Sequence, residues 1–295
     1  MQTAVLQHQQ TATNGIQLHV VTAGPQDGPL VLLLHGFPEF WYGWRHQIPQ
    51  LAAAGLRVWA PDLRGYGDSN KPPAIADYNV DTLAADVVGL IDAAGCERAC
   101  IVGHDWGGVL AWWLGMHHAP RVDRLAILNA PHPAVMRATV RRSPSQWLRS
   151  SYMAFFQLPW LPEALASAWH WRSVEQAMQR SSRPGTFSPD DLARYREAWA
   201  RPGAFTTMLN WYRALVHAPP RESFEVRVAR PALLVWGVED AFLQITMARE
   251  SAAWCDDGRL ELLEAGHWVQ HEEAARVDAL LAQFLAQAAR EPPAG

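Results

Sequence analysis

The sequence predicts an α/β fold, a mostly parallel sheet flanked by helices and interrupted once by an all-helical lid. Three observations lead there. Leu30–Leu34 is a continuous apolar run, as expected of a strand covered on both faces rather than one. Apolar runs and stretches with helical apolar spacing alternate along the first part of the chain and again after residue 230. Between residues 133 and 222 that rhythm stops, leaving only helical segments cut by Ser-Pro, Leu-Pro and Arg-Pro steps. At 295 residues and 49% apolar content, the chain suits one large α/β core, residues 1–133 and 223–295, with the lid at 134–222.

Asn14-Gly15 is a turn pair, and the alternating run behind it, Ile16–Ala23, predicts an antiparallel hairpin. Leu30–Leu34 follows and runs into His35-Gly36-Phe37-Pro38-Glu39. Trp41, Trp44, Ile48 and Leu51 then recur at helical spacing, predicting a helix over 41–54 that stops at Gly55. A strand over 56–60 enters the glycine-punctuated loop 61–69, and residues 80–94 form the next helix. Strand 99–102, helix 109–118 and strand 122–129 complete the first half. After the insertion come a strand over 231–237, a helix over 246–254, a strand over 260–263 and a last helix over 272–289.

Between the strand at 99–102 and its helix stands Gly103-His104-Asp105-Trp106-Gly107-Gly108. Small residues flank a central side chain as a nucleophile elbow requires, because strand and helix nearly touch there. The central residue is aspartate. A carboxylate, with an ordinary pKa of about 4, is ionised at neutral pH and needs no base to activate it. Its suitable target is an sp3 carbon bearing an oxygen or halide leaving group, since attack there leaves an ordinary alkyl ester on the enzyme. Cleaving that ester then requires a base and oxyanion donors beside Asp105.

An elbow of this kind calls for a later acid and a still later histidine, each after a strand. Asp240, in Trp236-Gly237-Val238-Glu239-Asp240, and His267, in Gly266-His267-Trp268, stand in that order. Asp240 would orient the imidazole and His267 would take a proton from water. Glu239 is the rival for the acid. The oxyanion donors fall to the backbone N–H groups of Trp106, after the nucleophile, and Phe37, after the first parallel strand. His271 lies four residues after His267, the spacing of a helical metal pair, but no HExxH motif is present, so no metal and no cofactor are expected. His104 and His132 are taken as structural.

A net charge of −4 without runs of like charge gives no reason to expect nucleic acid or a membrane as partner. Cys96, Cys100 and Cys255 make no disulfide framework, the polar start lacks a signal-peptide pattern, and no apolar run reaches transmembrane length. A cytoplasmic location is the expectation, with oligomeric state unassigned.

Residues 35–45, the run Asp62-Leu63-Arg64-Gly65-Tyr66-Gly67-Asp68-Ser69, the elbow and Gly266-His267-Trp268 together resemble the soluble epoxide hydrolases of the α/β-hydrolase fold. The resemblance implies that Asp105 opens an epoxide, that water cleaves the ester to a vicinal diol, and that a small, mainly apolar epoxide and water are the partners. It further implies two lid tyrosines that hold the epoxide oxygen, in settings similar to those of Tyr152 and Tyr212 here. Tyr195 is left structural. Trp147, Phe155, Phe156, Trp160 and Trp211 suggest an apolar pocket, with Trp106, Phe155 and Trp211 as substrate-binding residues. Haloalkane dehalogenases resemble the chain in the Asp-Trp elbow and are the nearest alternative, but Phe37 stands where many place an asparagine donor. A non-catalytic receptor on the same fold is a third reading, and the presence of nucleophile, base, acid and lid donors together speaks against it.

Overall fold

In the computed structural model, which describes residues 5–287, an eight-stranded sheet runs in the order β1-β2-β4-β3-β5-β6-β7-β8. The hairpin β1 (Gln7–Thr13) and β2 (Ile16–Ala23) turns at Asn14-Gly15, both in the left-handed region, and pairs antiparallel to β4 (Arg57–Pro61). The other pairings are parallel, through β3 (Leu30–Leu34), β5 (Ala99–His104), β6 (Val122–Leu128), β7 (Ala232–Gly237) and β8 (Gly258–Leu263).

The apolar run in β3 is explained by two cores. Leu30, Leu32 and Leu34 face one side, packing with Leu83, Val87, Leu110 and Leu114 of α2 (Val80–Ala93) and α3 (Trp106–His117). Val31 and Leu33 face the other, packing with Ile48 and Leu51 of α1 (Gln47–Ala53) and with residues near the chain's end. Successive strand residues point to opposite faces, so a strand covered twice must be apolar throughout.

Several boundaries differ from the sequence expectation. The helix expected over 41–54 is divided into a single 3-10 turn, Trp41–Trp44, and α1. Pro49 has no N–H to give to the carbonyl of Arg45, which stops a continuous helix but is tolerated in the first turn of a new one. α3 begins at Trp106 rather than 109, because Asp105 alone absorbs the reversal from strand to helix. The last helix starts earlier and is broken into α12 (Val269–Glu272) and α13 (Ala274–Leu285), while residues 288 and 289 of the expected helix, like residues 1–4, lie outside the described part.

Between β6 and β7 stand seven helices and no strand among the described residues: α4 (Pro133–Arg142), α5 (Pro144–Arg149), α6 (Ser151–Phe155), α7 (Leu161–Ser167), α8 (Arg172–Arg180), α9 (Pro189–Trp199) and α10 (Ala204–His217). Side-chain N–H groups tie them to the core. Trp199 Nε1 donates to the Pro38 carbonyl at 2.6 Å and Trp211 Nε1 to the Arg64 carbonyl at 3.0 Å. α11 (Thr246–Ala252) then links β7 to β8. No described helix is long and apolar enough to cross a membrane.

Candidate active site

Everything chemical gathers at the carboxyl ends of the parallel strands, where loops rather than ladders decide side-chain placement. β5 ends at Asp105, whose φ of 50° and ψ of −117° lie outside the regions a non-glycine residue ordinarily visits. Such a conformation costs on the order of 1–3 kcal/mol and persists only when its surroundings hold it. They do. The backbones before and after the turn touch so closely that a Cβ on Gly103 would run into the carbonyl of Gly107. The Phe37 N–H donates to Asp105 Oδ1 at 2.9 Å, from the loop after β3. Trp106 is the first residue of α3, so its N–H has no carbonyl one turn earlier to bind.

From the loop after β8, His267 reaches into the site. Its Nδ1 donates to Asp240 Oδ2 at 2.8 Å, and its Nε2 lies 3.7 Å from Asp105 Oδ2, too long for a hydrogen bond. Glu239 is turned away and pairs with Arg183 at 3.0 Å on the surface, so the acid in contact with the imidazole is Asp240. Asp240 is buried, and its Oδ1 accepts from the Phe242 and Leu243 amides at 2.7 and 3.0 Å. Burial alone would raise its pKa. The neighbouring His267 and these hydrogen bonds outweigh that and lower it. For His267 burial likewise opposes the charged form, yet Asp240 and Asp105 prevail and raise its pKa to about 10.

A residue absent from the sequence expectation completes this group. Asn129, at φ 43° just after β6, donates from Nδ2 to Asp240 Oδ2 at 2.6 Å and accepts from the Gly237 N–H at 3.0 Å. Its only sequence signal is an amide side chain at a strand's end.

Two cavities meet at Asp105. One, of about 280 Å³, is walled by Trp106, Met136, Met153 and Leu243, and the other, of about 200 Å³, by Phe37, Phe156, Met178 and His267. Asp105, Tyr152 and Tyr212 border both. The tyrosine rings stand 6.0 Å apart at 77°. Burial and the Asp105 charge raise the pKa of Tyr152, while burial, with Tyr152 and Asp105 beside it, raises that of Tyr212, so both phenols stay protonated donors.

Some expectations for the pocket need correction. Trp106 lines the larger cavity, but Phe155 borders neither, being 36% exposed on the outer side of α6, and the neighbouring Phe156 takes its place. On a short helix adjacent residues point about 100° apart, so sequence spacing alone did not separate the pair. Trp211 is buried behind Trp106, edge-on at 5.6 Å, and touches neither cavity. Trp147 and Trp160 are exposed. His104 lies beneath His267, its Nε2 donating to the His267 carbonyl at 2.9 Å, and His132 is stacked on Trp254. His271 turns from His267 toward the fully buried Glu39, 2.8 Å away, which also accepts from Tyr195. Among the described residues the one group with metal-type donors is His19, Asp62 and Asp68, away from Asp105. There His19 is bound to Asp62 and Asp68 is paired with Arg201.

Residues 29–274 match the family described as alpha/beta hydrolase fold. The chain is 47% identical to the AB hydrolase superfamily protein YfhM of Bacillus subtilis (strain 168), over 92% of this chain and 96% of that protein. It is 37% identical to Epoxide hydrolase 4 of Mus musculus, over 94% of this chain and 78% of that one. The crystal structure of the Bacillus megaterium epoxide hydrolase in complex with an inhibitor superposes with a TM-score of 0.85 at 28% identity, covering 94% of this chain and 100% of that chain. By sequence and by fold, the chain belongs to the epoxide hydrolases, a family of α/β-hydrolase-fold enzymes.

Proposed function

We propose that this enzyme converts a small, mainly apolar epoxide to a vicinal diol through an ester on Asp105, with residues 134–222 acting as the lid and without metal or cofactor. The observation that carries the reading is the position of Asp105, bordered at once by a backbone N–H, an imidazole and two buried phenols where two apolar cavities meet.

An Asp105 oxygen attacks one ring carbon as the carbon–oxygen bond opposite it breaks. Tyr152 and Tyr212 donate to the departing oxygen, which would otherwise be a poor leaving group. His267 Nε2 then takes a proton from water, whose oxygen adds to the Asp105 carboxyl carbon. The Phe37 and Trp106 N–H groups stabilise the resulting oxyanion. Collapse releases the diol and leaves the water's oxygen in Asp105. The dehalogenase reading would need two N–H donors for a halide; Trp106 borders the larger cavity, but the lid's Trp211 gives its N–H to the Arg64 carbonyl, and the cavities present two phenols.

The test is product analysis on aryl and alkyl epoxides and on bromoalkanes. Asp105→Asn is expected to abolish diol formation, and Tyr152→Phe/Tyr212→Phe to lower kcat by at least about a hundredfold, the usual cost of losing such donors. A single turnover in ¹⁸O-labelled water should place label in Asp105, and His267→Gln should accumulate the ester, seen as a mass increment equal to the substrate. Halide release that survives loss of both tyrosines, with no diol, would replace this reading by the dehalogenase.

A further inference from the structure

We propose that the outer face of the helical insertion, from the end of α4 through α8, docks on an anionic lipid surface, from which an apolar substrate enters the cavity beside Asp105. The docking rests on surface composition alone, and the entry of substrate rests on the epoxide reading.

Nine of the twelve exposed large apolar side chains among the described residues lie between Trp147 and Val216. They include every exposed tryptophan described: Trp147, Trp160 and Trp169 are 62%, 71% and 78% accessible. So much exposed aromatic area on one helical insertion marks an interaction surface rather than chance, and tryptophan favours a boundary between apolar and wet phases.

Charge identifies the partner. Residues 134–222 contain twelve arginines and six carboxylates, a net charge of +6, whereas the rest of the chain carries −10. The whole-chain balance of −4 hides this division. From 141 to 181 the exposed charged residues are all arginines, namely Arg141, Arg142, Arg149, Arg172 and Arg180. The two carboxylates in that stretch, Glu163 and Glu175, are only partly exposed and are held by Arg213 at 2.7 Å and Arg196 at 3.0 Å. Projecting tryptophan and leucine among arginines, of which Arg142 is paired with Glu250 and the others carry the surplus charge, suits anionic headgroups over acyl chains. A second copy of the same face would set arginine against arginine, which disfavours self-association.

The face also adjoins the cavity wall. α5, with exposed Trp147 and Leu148, connects α4, which lends Met136 and Arg137 to the larger cavity, with α6, which lends Tyr152 and Met153. Leu215 lines that cavity and is itself exposed, so the cavity reaches the surface there.

Flotation of the full chain with vesicles of phosphatidylcholine alone, or mixed with phosphatidylserine, tests the docking. Binding to the mixed vesicles with blue-shifted tryptophan emission is expected, with weak binding to the neutral ones and release by high salt. Trp147→Ser/Trp160→Ser/Trp169→Ser and Arg141→Gln/Arg172→Gln/Arg180→Gln should each weaken partitioning about tenfold or more. Both should still form diol from a water-soluble epoxide, a separate readout that would expose failure of the epoxide reading. Absence of flotation, equal binding to both vesicle types, or binding unchanged in folded variants would overturn the docking. So would a concentration-dependent dimer lost in the tryptophan variant, which would assign the face to a second copy.

Discussion

His267 stands between two carboxylates, with Asp240 bonded to Nδ1 at 2.8 Å and Asp105 at 3.7 Å acting on Nε2 through charge. Burial disfavours its charged form, but the two acids raise its pKa to about 10. A raised histidine contributes stability that is complete below its unfolded pKa of about 6.5 and is lost as pH rises through about 10. The same arithmetic bears on catalysis. In the ester proposed on Asp105 that charge is gone, and the imidazole loses one of the two influences that kept it protonated. Asp105→Asn, an uncharged stand-in for the ester, is therefore expected to lower the His267 pKa. An NMR titration of the ring measures this directly, and an unmoved pKa would remove Asp105 from the account.

At the scale of elements, the site is a set of strand ends held at fixed offsets. β3 presents Phe37, β5 Asp105, β6 Asn129, β7 Asp240 and β8 His267. Asn129 joins two of these ends, since its side chain, just after β6, reaches both Asp240 and the last residue of β7. Replacing it by alanine leaves a buried carboxylate and a buried N–H each short of a partner. A loss of roughly 1–3 kcal/mol is expected for such orphaned groups, together with a lower kcat as Asp240 loosens. Denaturant midpoints and steady-state rates check both, and wild-type values in each would show Asn129 to be dispensable. Gly36 is a further constraint of this kind, because a Cβ there would overlap the Asp105 side chain.

Over the whole molecule, buried acids tie stability to pH. Glu39, Asp62 and Asp240 all lie below the ordinary carboxylate range, despite burial, because histidines and hydrogen bonds face them. Depressed carboxylates contribute stability above their unfolded pKa of about 4 and lose it as pH falls through their folded values. Asp278, raised to about 6 by burial, works the other way and is relieved on acidification from neutrality. Thermal unfolding across a pH series should show stability falling from about pH 6.5, as the buried His35, His132 and His271, all lowered and His132 to about 4, bind protons more readily in the unfolded chain. It should fall more steeply below about 4 as the carboxylates protonate. Glu39→Gln should make the acid limb shallower, and an identical limb would deny Glu39 this role.

Features that adjacent residues decide are readable along the chain. The twice-covered strand β3, the glycines around the elbow and the turn at Asn14-Gly15 are local demands of periodicity and backbone geometry, and with them came the fold class. The order of Asp105, Asp240 and His267 was legible for the same reason, since each follows a recognisable strand. Tertiary structure alone decided the rest. Asp240 rather than Glu239 faces the imidazole, Phe156 rather than Phe155 enters a cavity, and Asn129 meets Asp240 from a position 111 residues away. These outcomes depend on the direction of one side chain relative to distant elements, and no property of a residue's own neighbourhood in sequence carries that direction.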